Sequence, residues 1–245
     1  MDFVAKTDVG KKRENNEDNY YVKMYNENVA LVIVADGLGG YESGEVASKM
    51  LTDIFSKYID ENVEKIKKFD DKKVEKFLKD TLNKTNKLIY DLEKTDLKYK
   101  GMGTTVVLVM KVNDKIYYFS VGDSRIYYVD SKLTSVNQIT EDDTYVNELI
   151  KTNIIDKADA DTHPKKHILT KAVGVFKDVD VKINIFDKKD GYLVLCSDGL
   201  YNMTTSEEII NIFSKNKFEN LAEKLVSRAN ENGGNDNITV VVIKL

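Results

Sequence analysis

The chain has 245 residues, 42% hydrophobic and 32% charged, with a formal net charge of -4. That balance supports a sizeable buried core and excludes several classes. There is no apolar run long enough to span a bilayer and no apolar leader, and the lone Cys196 cannot form an internal disulfide. The lone cysteine also excludes a cysteine-rich zinc site, and two histidines, His163 and His167, leave little room for a histidine-built metal centre. The acidic balance argues against nucleic acid as a partner, and the lysines of "KKFDDKKVEKFLKD" alternate with carboxylates as on a solvated helix face. The expectation is a cytoplasmic, monomeric protein with no membrane insertion.

Without a Gly/Ser/Pro-rich linker or an internal repeat, one domain over 1–245 is expected. Strands are predicted over 18–25 and 29–35, joined by the hairpin turn "NEN". In "GEVASKMLTDIFSKYI" the apolar residues fall at 46, 47, 50, 51, 54, 55, 58 and 59, one face of a helix. Val74, Leu78, Leu82, Ile89 and Leu92 mark a second helix over about 70–94. Strands "TTVVLVMKV", "KIYYFSV" and "RIYYVD" follow, then a short helix and a polar stretch around 156–166. Next come strands "VKINIF" and "YLVLCS", two helices of which the first opens on the capping box Thr205/Glu208, and the last strand "NITVVVIKL". Strands in meanders and helices in pairs, without regular alternation, predict an α+β layered sandwich of antiparallel sheets with helices outside.

Acids recur where these strands end. Asp36 in "VIVADGLGG", Asp123 in "YYFSVGDSR" and Asp198 in "YLVLCSDGL" each follow an apolar strand. Asp236 in "GGNDNITVVV" precedes one, and Glu17 and Asp18 open the first hairpin strand. Each alone reads as a turn, with Gly37, Gly39 and Gly40 supplying positive φ after Asp36. Gathered at one sheet edge, such carboxylates repel one another unless a cation compensates. Oxygen-only ligation suits Mg²⁺ or Mn²⁺, and two such ions can bridge a water and make hydroxide near neutral pH. The chemistry suggested is metal-assisted hydrolysis of an anionic phosphate. A nucleotide-cradling loop needs Lys-Ser/Thr after the glycines, which "GLGGYESGE" lacks. A cysteine phosphatase needs an arginine where Asn202 follows Cys196, and Cys196 itself reads as core.

In this order, "RENNED", "VADGLGG", "GTTVV", "VGDSR", "LCSDGL" and "GGNDNITVVVI" resemble the protein phosphatase 2C (PPM) family of metal-dependent serine/threonine phosphatases, its bacterial branch above all. The resemblance implies a four-layer αββα sandwich, two central antiparallel β-sheets flanked by helices. It implies two Mn²⁺ or Mg²⁺ ions, one held by Asp36, Asp198 and Asp236 and the other by Glu17, Asp36 and the carbonyl of Gly37. A third, weaker site would use Asp123 and Asp198. Asp18 would orient a metal-bound water, Arg13 would clamp phosphate, and 142–166 would form a flap beside the site. Leu38 stands where eukaryotic relatives carry a proton-donating histidine, so a water would have to serve. Asn202 replaces another acid of eukaryotic members, weakening the third site, and Lys171 replaces a usual arginine with little consequence. His163 falls in the flap, where it shapes the loop before Pro164. The implied substrates are phosphoserine and phosphothreonine proteins, with a cognate Ser/Thr kinase as partner. The alternative is a catalytically inactive PPM-fold binding module.

Overall fold

The computed structural model describes residues 1–39, 43–160, 162–188 and 190–245. It begins with β1 (Asp2–Asp8), the hairpin β2 (Asp18–Asn26) and β3 (Val29–Leu38), and the long helices α1 (Ser43–Ile66) and α2 (Asp71–Glu93). Then come β4 (Gly103–Thr104), β5 (Val106–Val112), β6 (Lys115–Val121), β7 (Arg125–Val129) and β8 (Val136–Gln138). Two short helices follow, α3 (Tyr145–Lys151) and α4 (Lys157–Ala160), before β9 (Asn184–Phe186) and β10 (Tyr192–Cys196). The chain closes with α5 (Asp198–Tyr201), α6 (Ser206–Lys215), α7 (Leu221–Glu231) and β11 (Ile238–Lys244).

Among the described residues the strands form two antiparallel sheets. One is ordered β1-β11-β10-β7-β8; the other is β2-β3-β5-β6-β9, with β4 on the end of β3. The period of two along each strand decides the layering. Leu31 and Ile33 face α1 and α2, while Val32 and Val34 meet Leu195 and Val241 between the sheets. Val194, Cys196, Val240 and Val242 face the other way, onto α6 and α7. The result is the four-layer αββα sandwich. Fully burying each such aliphatic side chain contributes roughly 1.5–3 kcal/mol.

Several elements depart from expectation. β1 pairs along its whole length with β11 at the far end of the chain, a long-range partnership that local pattern does not reveal. β8 is a short exposed edge, and the stretch predicted as a strand from 181 narrows to Asn184–Phe186, paired with β6. The polar stretch holds a second short helix, and Ser197 leads into the single turn α5. β3 does not end at Asp36 but runs on to Leu38, because Gly37 and Leu38 pair with Thr104 and Gly103. Gly37 is required for space rather than for positive φ: a Cβ there would lie 2.3 Å from the Gly44 carbonyl oxygen and 2.6 Å from that of Glu17. Gly39 does adopt a positive φ of 145°. Gly40 lies outside the described residues. The capping box is formed as predicted, Thr205 Oγ1 accepting from the Glu208 amide and Glu208 accepting from that of Thr205.

Phe55 on α1 is fully buried and meets Phe119 of β6 with ring centroids 6.3 Å apart. Phe55→Ala is expected to cost about 3–5 kcal/mol in urea denaturation. Thr205→Ala, at an exposed cap, should cost only about 1 kcal/mol.

Candidate active site

The topology brings the acids to one end of the sandwich. The β2–β3 register sets Asp18 directly opposite Asp36, an arrangement of like charges that destabilises a sheet. Asp198 follows β10, Asp236 precedes the adjacent β11, and Asp123 lies in the turn before β7, which pairs with β10 on its other side. Glu17, Asp36, Gly37, Asp123, Asp198 and Asp236 line one hollow of about 630 Å³, with Arg13 at its wall. Asp18 is buried behind it. Thus the predicted acids meet in one place.

Their electrostatics record the crowding. Burial, then the neighbouring Asp18, Asp198, Asp123 and Asp236, push Asp36 well above the usual carboxylate range. Burial and Asp123 raise Asp198 to about 8, and burial and Asp142 raise Asp123 to about 6. Burial raises Asp18 to about 6 against the hydrogen bond donated by Ser197 Oγ at 2.6 Å. Glu17 is raised by burial, against the pull of Arg13. Its carboxylate packs over the first turn of α1, where a Cβ on Gly44 would fall 2.6 Å from Glu17 Oε2.

Among the described residues, no three His, Cys, Asp or Glu side chains are drawn into a closed metal-holding cluster. The donor set nevertheless suits a hard divalent cation: all oxygen, mutually repelling, with buried Asp18 Oδ1 lacking any hydrogen-bond partner. Arg13 does not stand free in the hollow. Its Nη2 donates to Asp236 Oδ2 at 2.8 Å, and although burial opposes its charge, Asp236 holds its pKa above the ordinary arginine value.

Sequence reasoning missed the residues that lock this edge together. Asn237, buried beside Asp236, donates to the carbonyls of Val9 and Asn15 at 3.0 and 2.9 Å. Its Oδ1 accepts from the Glu17 amide at 2.9 Å, and its own amide donates to Asp236 Oδ1 at 2.8 Å. One amide side chain therefore ties the segment carrying Arg13 and Glu17 to the strand carrying Asp236. A second lock is Arg125, whose Nε and Nη2 donate to Asp142 and whose guanidinium lies 3.5 Å from the Tyr201 ring centre. Asp142 and Asp143 root the arm that holds α3 and α4; the Asp143 carboxylate accepts from Gly122 and pairs with Lys171 at 3.1 Å. Arginine occurs only at Arg13, Arg125 and Arg228, and that scarcity is the sequence signal that could have found Arg125. Asn202 donates to Asp198 Oδ2 at 3.1 Å. His163 lines neither this hollow nor the groove beside it: its Nδ1 accepts from the Lys165 amide and its ring packs on Tyr145. Cys196 is core, its thiol pushed up to about 12 by burial.

The family model described as Protein phosphatase 2C matches residues 9–241. The chain belongs to that family. Serine/threonine phosphatase stp of Listeria monocytogenes is similar to this protein phosphatase 2C chain at 38% identity over 247 residues, covering 100% of it and 96% of the relative. The serine/threonine phosphatase structure from S. agalactiae superposes with a TM-score of 0.90 at 33% identity, over 100% of this chain and 99% of that one. A structure of the PstP catalytic domain in complex with two manganese ions gives 0.82 at 28% identity, over 98% and 96%.

Two outcomes are expected of this protein phosphatase 2C edge. Asn237→Ala strands buried carbonyls and an amide, so it should lower stability by about 2–4 kcal/mol and weaken Mn²⁺ binding about 10–100-fold in calorimetry. Carboxylates with raised pKa bind more protons folded than unfolded. In chelator, stability should therefore fall as pH rises from about 4, the unfolded value, through the folded values of about 6 and about 8. Thermal melts from about pH 5 to about pH 8 should show that decline, and Mn²⁺ should flatten it.

Proposed function

We propose that the protein is a metal-dependent protein serine/threonine phosphatase that releases phosphate from phosphoserine and phosphothreonine by direct attack of water. The observation that carries this reading is the convergence of Glu17, Asp36, Asp123, Asp198 and Asp236, with Asp18 behind them and Arg13 at the wall of the same hollow. In this reading Asp36, Asp198 and Asp236 hold one divalent cation, and Glu17, Asp36 and the Gly37 carbonyl hold the other. When bound, two Mn²⁺ or Mg²⁺ ions supply the Lewis acidity that activates water and neutralises phosphoryl charge. Asp123 and Asp198 offer a third, weaker position, with Asn202 contributing an amide where a further acid would strengthen it.

The chain's own groups do the rest. Arg13 carries a planar donor fork that matches two phosphoryl oxygens, and its present partner is Asp236. With Asp236 engaged by a cation, the Arg13 fork would be free to bind substrate. Asp18, with one oxygen held by Ser197 and the other unpaired, would orient a metal-bound water in this reading. No side-chain nucleophile is required, and buried Cys196 is out of reach of substrate.

The arm over 142–166, rooted by Asp142 and Asp143 in a single domain, serves as the flap that meets the protein substrate. We place the protein in the cytoplasm as a monomer, countering a Ser/Thr kinase. Among the described residues no helix is long and apolar enough to cross a membrane. An inactive binding module is not favoured, because every acid the reading needs is present.

Purified protein should release phosphate from a phosphothreonine peptide with Mn²⁺ or Mg²⁺ and stop in chelator. Removing a direct ligand by Asp198→Asn should lower turnover by more than the roughly 10–100-fold typical of outer-shell partners. Folded protein that binds Mn²⁺ in calorimetry yet releases no phosphate would overturn the enzyme reading.

A further inference from the structure

The departing group in this reaction is a serine or threonine alkoxide, far more basic than water at neutral pH, so its departure needs a proton donor. The donor must stand where the phosphoryl hollow meets the space that takes the peptide. Next to the acid-lined hollow lies a groove of about 770 Å³ running under α3 and α4 along Gln138, Thr140 and Asn147. The residues common to both walls are Asp123, Lys166, His167 and Asn202. A phosphoester held in the hollow with its peptide in the groove would put the departing oxygen at this border.

Two of the four are poor donors there, and a third is committed elsewhere. Asn202 is an amide with no acidic proton, and it is bonded to Asp198. A lysine ammonium is a weak acid at neutral pH. Asp123 belongs to the acid cluster that faces the cations. Imidazole is the side chain suited to exchange a proton at physiological pH. His167 is exposed, and neither ring nitrogen is engaged by the described residues. Leu38, on the same hollow, offers no proton at all.

We propose that His167, rather than a water, protonates the departing serine or threonine oxygen. The inference rests on the phosphatase reading above. Water oxygen bonds to phosphorus as the phosphorus–Oγ bond breaks. The electron pair of that bond stays on Oγ, which takes the ring proton of His167. The attacking water's surplus proton leaves to solvent, and neutral His167 is reprotonated from solvent.

The test compares two leaving groups on the Mn²⁺-loaded protein: a phosphoserine peptide, whose alkoxide needs a proton, and p-nitrophenyl phosphate, whose phenolate leaves without one. His167→Gln and His167→Ala are both used, with Mn²⁺ affinity measured by calorimetry alongside. General-acid catalysis contributes about 10²–10⁴-fold. Both variants should therefore lose peptide kcat by about 10²-fold or more, and lose far less on the aryl ester, with Mn²⁺ affinity retained. An equal loss on both substrates, a loss confined to KM, a loss that tracks weaker Mn²⁺ binding, or no loss would each overturn the proposal. Asp123→Asn showing the leaving-group-selective loss instead would assign the proton to that carboxyl and also overturn it. If the unaltered protein turned over neither substrate, the phosphatase reading itself would fall, and this inference with it.

Discussion

Carboxylates that repel one another are packed against the end of two apolar sheets, and this tension shapes the rest of the molecule. Asp18 faces Asp36 across β2 and β3, and Asp198 and Asp236 flank the neighbouring strands β10 and β11. A free chain would separate these groups into water. The fold does not allow it, because Val32, Val34, Leu195 and Val241 clamp the sheets face to face immediately behind them. With each buried aliphatic contributing roughly 1.5–3 kcal/mol, the three apolar layers hold the acids in a geometry that the acids themselves disfavour. The raised pKa values of Asp18, Asp36, Asp123 and Asp198 express that imbalance. A divalent cation held among these acids would offset that repulsion, so relief of the crowding would add to its affinity.

Rigidity at this edge comes from neutral amides and backbone rather than from the acids. Asn237 satisfies two carbonyls and an amide of the segment that carries Arg13 and Glu17, and its own amide orients Asp236. Gly199 lets α5 press on the same point, since a Cβ there would fall 2.0 Å from the Asn237 carbonyl oxygen. Gly37 does likewise between Glu17 and α1. Small residues thus bring backbones together, and an amide pins them, so that charged side chains can be held close without fastening themselves. Arg125 extends the same logic outward: its fork grips Asp142 while Tyr201 stacks on its face, joining the root of the α3–α4 arm to the Asp123 turn.

What the sequence disclosed follows from the range of the interactions. The long amphipathic helices and the apolar strands were legible because a period of 3.6 or 2 is local, and the Thr205/Glu208 box is local too. The acids were legible because each sits beside glycine or asparagine at a strand end, in an order that resembles a known family. β1 was not, since "DFVAKTD" acquires its strand identity from β11, more than two hundred positions away. Asn237 was hidden for a similar reason: as the residue after a candidate ligand it looks like ordinary turn chemistry, and its partners at Val9, Asn15 and Glu17 are remote. His167 and His163 lie four positions apart in one polar stretch, and nothing in that stretch separates them. The turns around Pro164 do, leaving His163 on Tyr145 and turning His167 to the hollow.

Arg13 is the counter-ion of Asp236, half-exposed and bonded at 2.8 Å. A surface pair of this kind is worth little, about 0–1 kcal/mol, so in the proposed reading a divalent ion held by Asp236 would displace it at small cost. The guanidinium would stay on the same wall, tethered through the segment that Asn237 pins. An incoming phosphate would then meet a donor fork no longer neutralised by the protein's own acid. Metal loading and phosphate binding would thereby be coupled in the favourable direction through Asp236. Such coupling is reciprocal, so a bound phosphate that held Arg13 would also protect the cation from loss.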